Sequence, residues 1–314
     1  MEQLIRHILV VLLLMFFVGV FLFRVERDPK QAYYFVREDC YSHGNWIQQR
    51  LFEQSLPVDV AFLGTSVSIH AVYDSLIQQS LNSLLPQDSA LEVVNFGYCR
   101  PGMDLKYAFL QDIFTTKAPK LVVLELPMQS NAASHPIFPN LAEAKDILRP
   151  NQLNKDYPKN VLTAAQTRLS WFRQRFWKSN NYQFYRKYHT AYGFGTGQLE
   201  RSVETLQEIQ EKREATTIRP GSYQKTDQAN IRAIQKLCTA NNAKLVIWYG
   251  KTLGHHMHTP DNFEFVKDRF DYFVPPDSVF TNYSNLMDED HLNTKGAEAL
   301  IPFFRDLIFS SLSE

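Results

Sequence analysis

Four short apolar runs alternate with longer segments of helical periodicity along much of this chain. The apolar runs cover residues 58–63, 91–95, 120–126 and 243–249. Short apolar runs that end at proline, glycine or polar residues are typical of buried β-strands. The segments with helical spacing cover residues 72–85, 103–116, 228–242 and 294–312. This alternation predicts an α/β fold, a three-layer α/β/α sandwich around a parallel sheet, in which ligands bind beyond the carboxyl ends of the strands.

The first residues form a continuous apolar segment. Residues 8–23 contain no charged side chain, and Leu4 and Ile5 extend the segment to about the 20 residues that a bilayer requires. A cleaved signal peptide is the alternative, but the segment runs directly into Arg24 without a small-residue cleavage site. We therefore expect a membrane anchor at residues 1–30, followed by one α/β domain at 31–314.

The alternation is interrupted at about residues 132–227, which we predict to be a mainly helical insertion without a sheet of its own. Residues 157–199 contain no Asp or Glu, and basic and aromatic side chains interleave there. Such a surface suits an anionic glycan or lipid headgroups. The alternative is a helix whose aromatic side chains pack on the core while its basic side chains face water.

Charge and cysteine content narrow the classes of function. The 33 basic and 33 acidic residues cancel, which gives no electrostatic support for nucleic-acid binding by the chain as a whole. The three cysteines are widely spaced, so we expect at most one disulfide and treat Cys99 as a packed thiol. The His255-His256-x-His258 cluster fits a loop better than a metal site, and no metal or other cofactor is predicted.

Two separate segments carry residues suited to nucleophilic catalysis. Gly64-Thr65-Ser66 follows the first predicted strand, where a tight turn exposes a serine hydroxyl. Asp288 precedes His291 by three residues in a loop before the last helix, which Asn293 or Thr294 can cap. A serine needs a base, and the base needs an orienting carboxylate. The alternatives are a helix-capping serine and an exposed polar loop.

Together these segments resemble the SGNH/GDSL hydrolase superfamily, with the same chain order of Ser, Asp and His before a terminal helix. The resemblance covers residues 58–131 and 228–312 and implies a flavodoxin-like sandwich. It implies that Ser66 is the nucleophile, His291 the general base and acid, and Asp288 its orienter, with Asp290 less suited by spacing. It also implies an oxyanion hole formed by Ser66, Arg100 and Gln129, with Gly102 and Asn131 as alternatives. The family commonly has glycine and asparagine where Arg100 and Gln129 stand, and the Arg100 guanidinium could instead hold an anionic substrate group.

Arg100 and Gln129 at these two positions, together with the anchor, resemble the membrane-anchored cell-envelope branch of that superfamily. This branch includes proteins of teichoic-acid D-alanylation and exopolysaccharide O-acetylation. The resemblance implies a serine esterase or O-acyltransferase that acts on a cell-envelope glycan beside a multi-pass membrane acyltransferase. A non-catalytic accessory subunit of a membrane complex is the alternative. The branch implies an extracytoplasmic domain, whereas Arg24, Arg27 and Lys30 after the apolar span, against Arg6 before it, predict a cytoplasmic one.

Overall fold

The computed structural model shows an α/β protein built on one parallel sheet. The residues it describes are 1–36, 39–127, 133–149, 153–177, 193–195, 201–215, 225–253 and 264–313. The five strands are β1 (Val60–Leu63), β2 (Val93–Asn95), β3 (Leu121–Pro127), β4 (Lys244–Gly250) and β5 (Asp271–Phe273). They lie in the order β2-β1-β3-β4-β5, and every neighbouring pair is parallel.

The sheet confirms the predicted α/β class and the four predicted strands, each within two or three residues of its expected ends. The register pairs Leu63 with Leu124 and Leu124 with Ile247, so the three central strands end close together. β5 was not predicted. It is a three-residue edge strand whose first two side chains are exposed, so it lacks the apolar run that marks the buried strands.

Fourteen α-helices are present in the described part of the chain, together with 3₁₀ turns at Tyr33–Val36, Gln87–Ser89 and Tyr283–Asn285. The helices are α1 (Glu2–Arg24), α2 (Pro29–Ala32), α3 (Asp39–Phe52), α4 (Ser66–Ala71), α5 (Asp74–Asn82), α6 (Met103–Thr116), α7 (Phe138–Leu141), α8 (Ala144–Ile147), α9 (Tyr157–Trp177), α10 (Val203–Ala215), α11 (Lys225–Ala240), α12 (Glu264–Lys267), α13 (Asp277–Thr281) and α14 (Thr294–Ser313). The predicted helices at 103–116, 228–242 and 294–312 correspond to α6, α11 and α14. The one expected at 72–85 is the shorter α5.

Two hydrophobic cores lie against alternate residues of the central strands. Ala61 and Leu63 belong to the core that also contains buried residues of α3, α6 and α11. Val60 and Phe62 belong to the core that contains buried residues of α5 and α14. Because successive side chains of a strand point to opposite faces, these strands are apolar on both faces.

The described parts of the predicted insertion contain α7 to α10 and no strand. Helix α1 is long and apolar enough to cross a membrane. The most apolar 18-residue window within Gln3–Arg24 has a mean hydropathy of 2.6, and none of it is buried against the domain. An N-terminal signal sequence would share these properties.

Candidate active site

The turn after β1 presents Ser66 as the first residue of α4. Thr65 caps this helix, because its Oγ1 accepts a hydrogen bond from the Val67 N–H at 3.1 Å. Gly64 leaves no room for a side chain, since a Cβ there would lie 1.7 Å from Ser68 Oγ and 2.4 Å from Glu125 Oε2. The absence of a Cβ lets the chain turn sharply here, which leaves Ser66 half-buried at the carboxyl end of β1.

A buried carboxylate on the neighbouring strand β3 holds this turn in place through hydrogen bonds. Glu125 Oε2 accepts hydrogen bonds from the Thr65 N–H at 2.6 Å, the Ser68 N–H at 3.1 Å and Ser68 Oγ at 2.7 Å. Its other oxygen accepts one from Thr65 Oγ1 at 2.7 Å. Burying a carboxylate is costly unless it is well hydrogen-bonded, and these four donors meet that requirement. Sequence reasoning did not identify Glu125, although an acid within the apolar run of β3 was a usable signal.

The Asp288–His291 loop is held by bonds within itself. Asp288 Oδ1 accepts the backbone N–H of Asp290 at 2.8 Å and that of His291 at 2.9 Å. Leu286 and Leu292 form an antiparallel bridge around the loop. Asn293 caps α14 by accepting the Gly296 N–H at 3.0 Å, as its position before the helix predicted. A local turn and a helix cap therefore set the direction of the imidazole.

The structure brings Ser66, His291 and Asp288 together in one hydrogen-bonded line. His291 Nε2 lies 2.8 Å from Ser66 Oγ, although the two residues are 225 positions apart. His291 Nδ1 lies 2.9 Å from both carboxylate oxygens of Asp288. With the Nδ1 proton directed at the carboxylate, the Nε2 lone pair is free to accept the proton of the serine hydroxyl. The arrangement has the geometry of a nucleophile, a general base and an orienting acid.

The charges around His291 favour its protonated form. Burial lowers the pKa of His291, but the hydrogen bond and negative charge of Asp288 outweigh it, assisted by the charges of Asp290 and Glu125. The net result is a pKa above the ordinary value of 6.5. For Asp288, burial raises the pKa, and the hydrogen bond and charge of His291 outweigh that effect, so the net pKa is lowered. Asp288 is therefore ionised at neutral pH and stabilises a proton on His291.

Asp290 does not touch the imidazole but faces the predicted insertion. Its carboxylate lies 3.0 Å from Arg213 Nη2, on α10. Arg213 Nη1 donates to the carbonyl oxygens of Glu289 at 3.1 Å and Leu253 at 2.8 Å. The last turn of α10 thus contacts the Asp288–His291 loop, called the histidine loop below, through three hydrogen bonds of Arg213 to this loop and to Leu253 beside it. Sequence reasoning missed this role of Arg213, because no local pattern connects the insertion to the loop.

His70 of α4 lies against His291. Its ring meets the His291 ring edge to face, with centroids 4.9 Å apart. His70 Nδ1 lies 2.8 Å from the carbonyl oxygen of Gly195. Burial and, to a smaller extent, the neighbouring His291 lower the pKa of His70 to about 4. At neutral pH His70 is therefore an uncharged wall of the site.

Three residues of the insertion, 193–195, contact the helix that begins at Ser66. The Gly195 N–H donates to the Ile69 carbonyl oxygen at 3.0 Å, and the Gly193 N–H donates to Asp74 Oδ2 at 2.7 Å. Burial raises the pKa of Asp74 to about 7, against the hydrogen bonds that it accepts. Residues 193–195 thus hold the insertion next to α4 and to His70.

Of the predicted oxyanion donors, three lie in the described residues. Among these residues the Ser66 N–H donates no hydrogen bond, which leaves it open to a substrate oxygen. Arg100 adopts a left-handed conformation with φ 69°, and its side chain is exposed. Gly102 precedes α6 and contacts His135. A Cβ added at Gly102 would lie 2.6 Å from the His135 Cβ. Gln129 and Asn131 lie outside the described residues.

Cys99 is not the packed thiol that we expected, because it forms a disulfide with Cys40 of α3. The Cys99 carbonyl oxygen also lies 2.8 Å from His135 Nε2. The residue immediately before Arg100 is therefore tied to two other parts of the domain. Cys238 is a buried free thiol, and burial raises its pKa to about 12. Pairing of Cys40 with Cys99 could not be read from three widely spaced cysteines.

The basic and aromatic stretch of the insertion divides between core and surface. Arg168 and Trp171 of α9 are buried, and burial lowers the pKa of Arg168 to about 10. Lys159 and Arg173 on the same helix are exposed. The core-packing alternative thus holds for part of α9, while residues 178–192 lie outside the described residues. So do His255, His256 and His258; elsewhere in the described chain no cluster of potential metal ligands occurs.

Comparison with known proteins assigns no family to the chain. No family model matches it, and no curated protein matches it either. The function must therefore be argued from the geometry of the site.

Proposed function

We propose that this protein is a membrane-anchored serine esterase or O-acyltransferase that acts on acyl esters of a cell-envelope glycan. The observation that carries the proposal is the line of hydrogen bonds from Ser66 Oγ through His291 to Asp288. The site lies at the carboxyl ends of β1 and β3, which is the crevice where a sheet of this strand order binds ligands.

The first half of the reaction transfers the acyl group to the protein. Ser66 Oγ attacks the ester carbonyl carbon while its proton passes to His291 Nε2. The negative charge that develops on the carbonyl oxygen is stabilised by the Ser66 N–H, with Arg100 and Gln129 as the proposed further donors. The C–O bond to the alcohol then breaks, and the imidazolium returns its proton to the departing oxygen. Asp288 stabilises the imidazolium in between.

The second half releases the acyl group to an acceptor hydroxyl. His291 Nε2 takes the proton of that hydroxyl, the hydroxyl oxygen attacks the acyl carbon, and the bond to Ser66 Oγ breaks with return of the proton. If water is the acceptor the protein is an esterase, and if a sugar hydroxyl is the acceptor it is an O-acyltransferase. The uncharged face of His70 beside His291 suits a neutral acceptor.

We further propose that the domain is a three-layer sandwich of the SGNH type. The strand order and the two hydrophobic cores on alternate strand residues support this architecture. The positive φ of Arg100 supports its assignment to the glycine position of the family, because glycine is the residue that most readily adopts that conformation.

The Cys40–Cys99 disulfide supports an extracytoplasmic domain. Disulfides persist in oxidising compartments and are rare in the cytoplasm. The weak charge bias around α1 points the other way, but interleaved acids reduce it. A domain outside the cytoplasmic membrane would meet envelope glycans, with a multi-pass membrane acyltransferase as the proposed donor of acyl groups.

Labelling with a fluorophosphonate tests the nucleophile. We expect the full-length protein to be labelled and Ser66→Ala to be unlabelled, with the exposed Ser83→Ala as a control that labels like the wild type. Labelling that persists in Ser66→Ala would show that another residue is the nucleophile. Hydrolysis of nitrophenyl acyl esters that depends on His291 would exclude the alternative of a non-catalytic accessory subunit.

A further inference from the structure

The apolar helix α1 joins the domain without a flexible linker. It ends at Arg24, and Leu22 in its last turn is only 8% exposed. Three residues after the helix, Arg27 forms a buried bidentate ion pair with Asp112 of α6, at 2.7 and 2.6 Å. The end of α1 is therefore part of the folded domain, which fixes the direction in which the apolar helix leaves it.

Helix α9 of the insertion lies against that end of α1. The rings of Phe21 and Phe172 meet edge to face with centroids 5.5 Å apart. The Arg168 guanidinium lies 5.1 Å from the centre of the Phe23 ring. Residues four apart on α9 thus contact the last turn of α1. If α1 spans a bilayer, these contacts place α9 at the membrane surface.

The outward face of α9 has the composition of an interfacial helix. Leu162, Gln166, Leu169 and Arg173 recur at helical spacing and are all exposed, with the leucines 60% and 45% exposed. Lys159 is also exposed near the start of the helix. No acid occurs from residue 157 to residue 199. Apolar side chains flanked by cations suit the boundary between acyl chains and anionic headgroups.

We propose that α9 lies in the interface of the bilayer that α1 crosses, with Leu162 and Leu169 in the acyl boundary and Lys159 and Arg173 on anionic headgroups. The inference rests on the proposed membrane anchor and is independent of the proposed chemistry. The contacts between α1 and α9 identify the occupant of this surface as the lipid that surrounds the anchor. Such seating would hold the domain in one orientation on the membrane.

The test uses the full-length protein in nanodiscs that contain anionic lipid and lipid with a nitroxide on its headgroup. An environment-sensitive fluorophore is attached in separate variants at Leu162→Cys and Leu169→Cys. Leu13→Cys, read with a nitroxide deep in the acyl chains, reports on α1. Phe309→Cys, which is exposed on α14, is the control on the far side of the sheet, because α14 packs in the second core and α9 packs in the first. We expect strong quenching at 162 and 169 and little at 309.

Charge reversal sharpens the test. Lys159→Glu with Arg173→Glu should reduce quenching at 169 in anionic nanodiscs, whereas Lys295→Glu with Arg305→Glu on α14 should not. Quenching at 13 without quenching at 162 or 169 would overturn the seating of α9 and leave the anchor intact. Absence of quenching at 13 would instead contradict the anchor. Shielding of 162 and 169 only in native membranes would identify a protein partner and also overturn the proposal.

Discussion

The two halves of the triad are held in place by different means. The Ser66 turn depends on Glu125, a buried side chain that lies 57 to 60 positions away from the groups it binds. The His291 loop depends mainly on residues within it, since Asp288 binds both the backbone and the side chain of His291. The half-buried His291 and Asp288 side chains contrast with the fully buried Glu125 carboxylate.

Because of this difference, we expect substitutions in the two halves to affect turnover and stability to different extents. Side chains of the histidine loop are partly exposed, so removing one leaves few buried groups without partners. Removing Glu125 would leave four buried donors unsatisfied, which costs free energy of folding as well as geometry. Changes in the loop should therefore affect turnover alone, and changes beneath the turn should affect stability and turnover together.

The largest expected effect is that of His291→Ala. Without the base, the rate of fluorophosphonate labelling and of ester hydrolysis should fall by roughly 10⁴-fold or more. The free energy of unfolding should change by less than about 1 kcal/mol, because the side chain is half-buried and its partners remain solvated. Rates and denaturant unfolding measured on the same preparation check both parts. A loss of activity with a large loss of stability would contradict the proposed independence of the loop.

Glu125→Ala should reduce both stability and activity. The free energy of unfolding should fall by about 3–5 kcal/mol, because the backbone N–H groups of Thr65 and Ser68 and their hydroxyls lose a buried acceptor. Labelling of Ser66 should slow as well, since the turn that presents it is no longer fixed. Denaturant unfolding of Glu125→Ala beside Asp288→Ala measures the contrast. Equal stabilities of the two variants would remove the distinction between the turn and the loop.

The sequence predicted the contacts within short segments and missed those between distant segments. Asp288, His291 and the cap at Asn293 are close in sequence, so their spacing, together with the family resemblance, predicted the contacts that the structure shows. The sheet was predictable because its central strands are apolar on both faces. Glu125, Arg213 and the disulfide act between distant segments, and no local spacing reports such contacts. The short polar strand β5 carries no periodic signal.

The disulfide beside Arg100 should have an intermediate effect. Replacing both partners, Cys40→Ser with Cys99→Ser, should lower the free energy of unfolding by about 2–4 kcal/mol, since the bond closes a long loop. Turnover should fall less than in Glu125→Ala, because the Ser66 turn keeps its own hydrogen bonds. A reductant should reproduce the loss in the wild type and have no effect on the double variant. Cys238→Ala, which removes the buried free thiol, should keep the response to reductant.

The smallest expected effect is a shift in pH dependence, and it tests the loop most directly. The proposed reaction requires neutral His291, so activity should rise with pH and reach half its maximum at the pKa of His291, which lies above 6.5. Asp288→Asn removes the negative charge that favours the protonated form of His291, while burial still disfavours that form. The midpoint of the residual activity should therefore move to lower pH.

Asp290→Asn provides the matched comparison, because Asp290 acts on His291 only through its charge while its carboxylate pairs with Arg213. Its midpoint should move in the same direction by less, and its maximal rate should stay close to that of the wild type. The pH dependence of the fluorophosphonate labelling rate measures both variants. A midpoint that is higher in Asp288→Asn, or equal shifts in the two variants, would mean that Asp288 does not orient and charge-stabilise the base, and the local account of the histidine loop would be wrong.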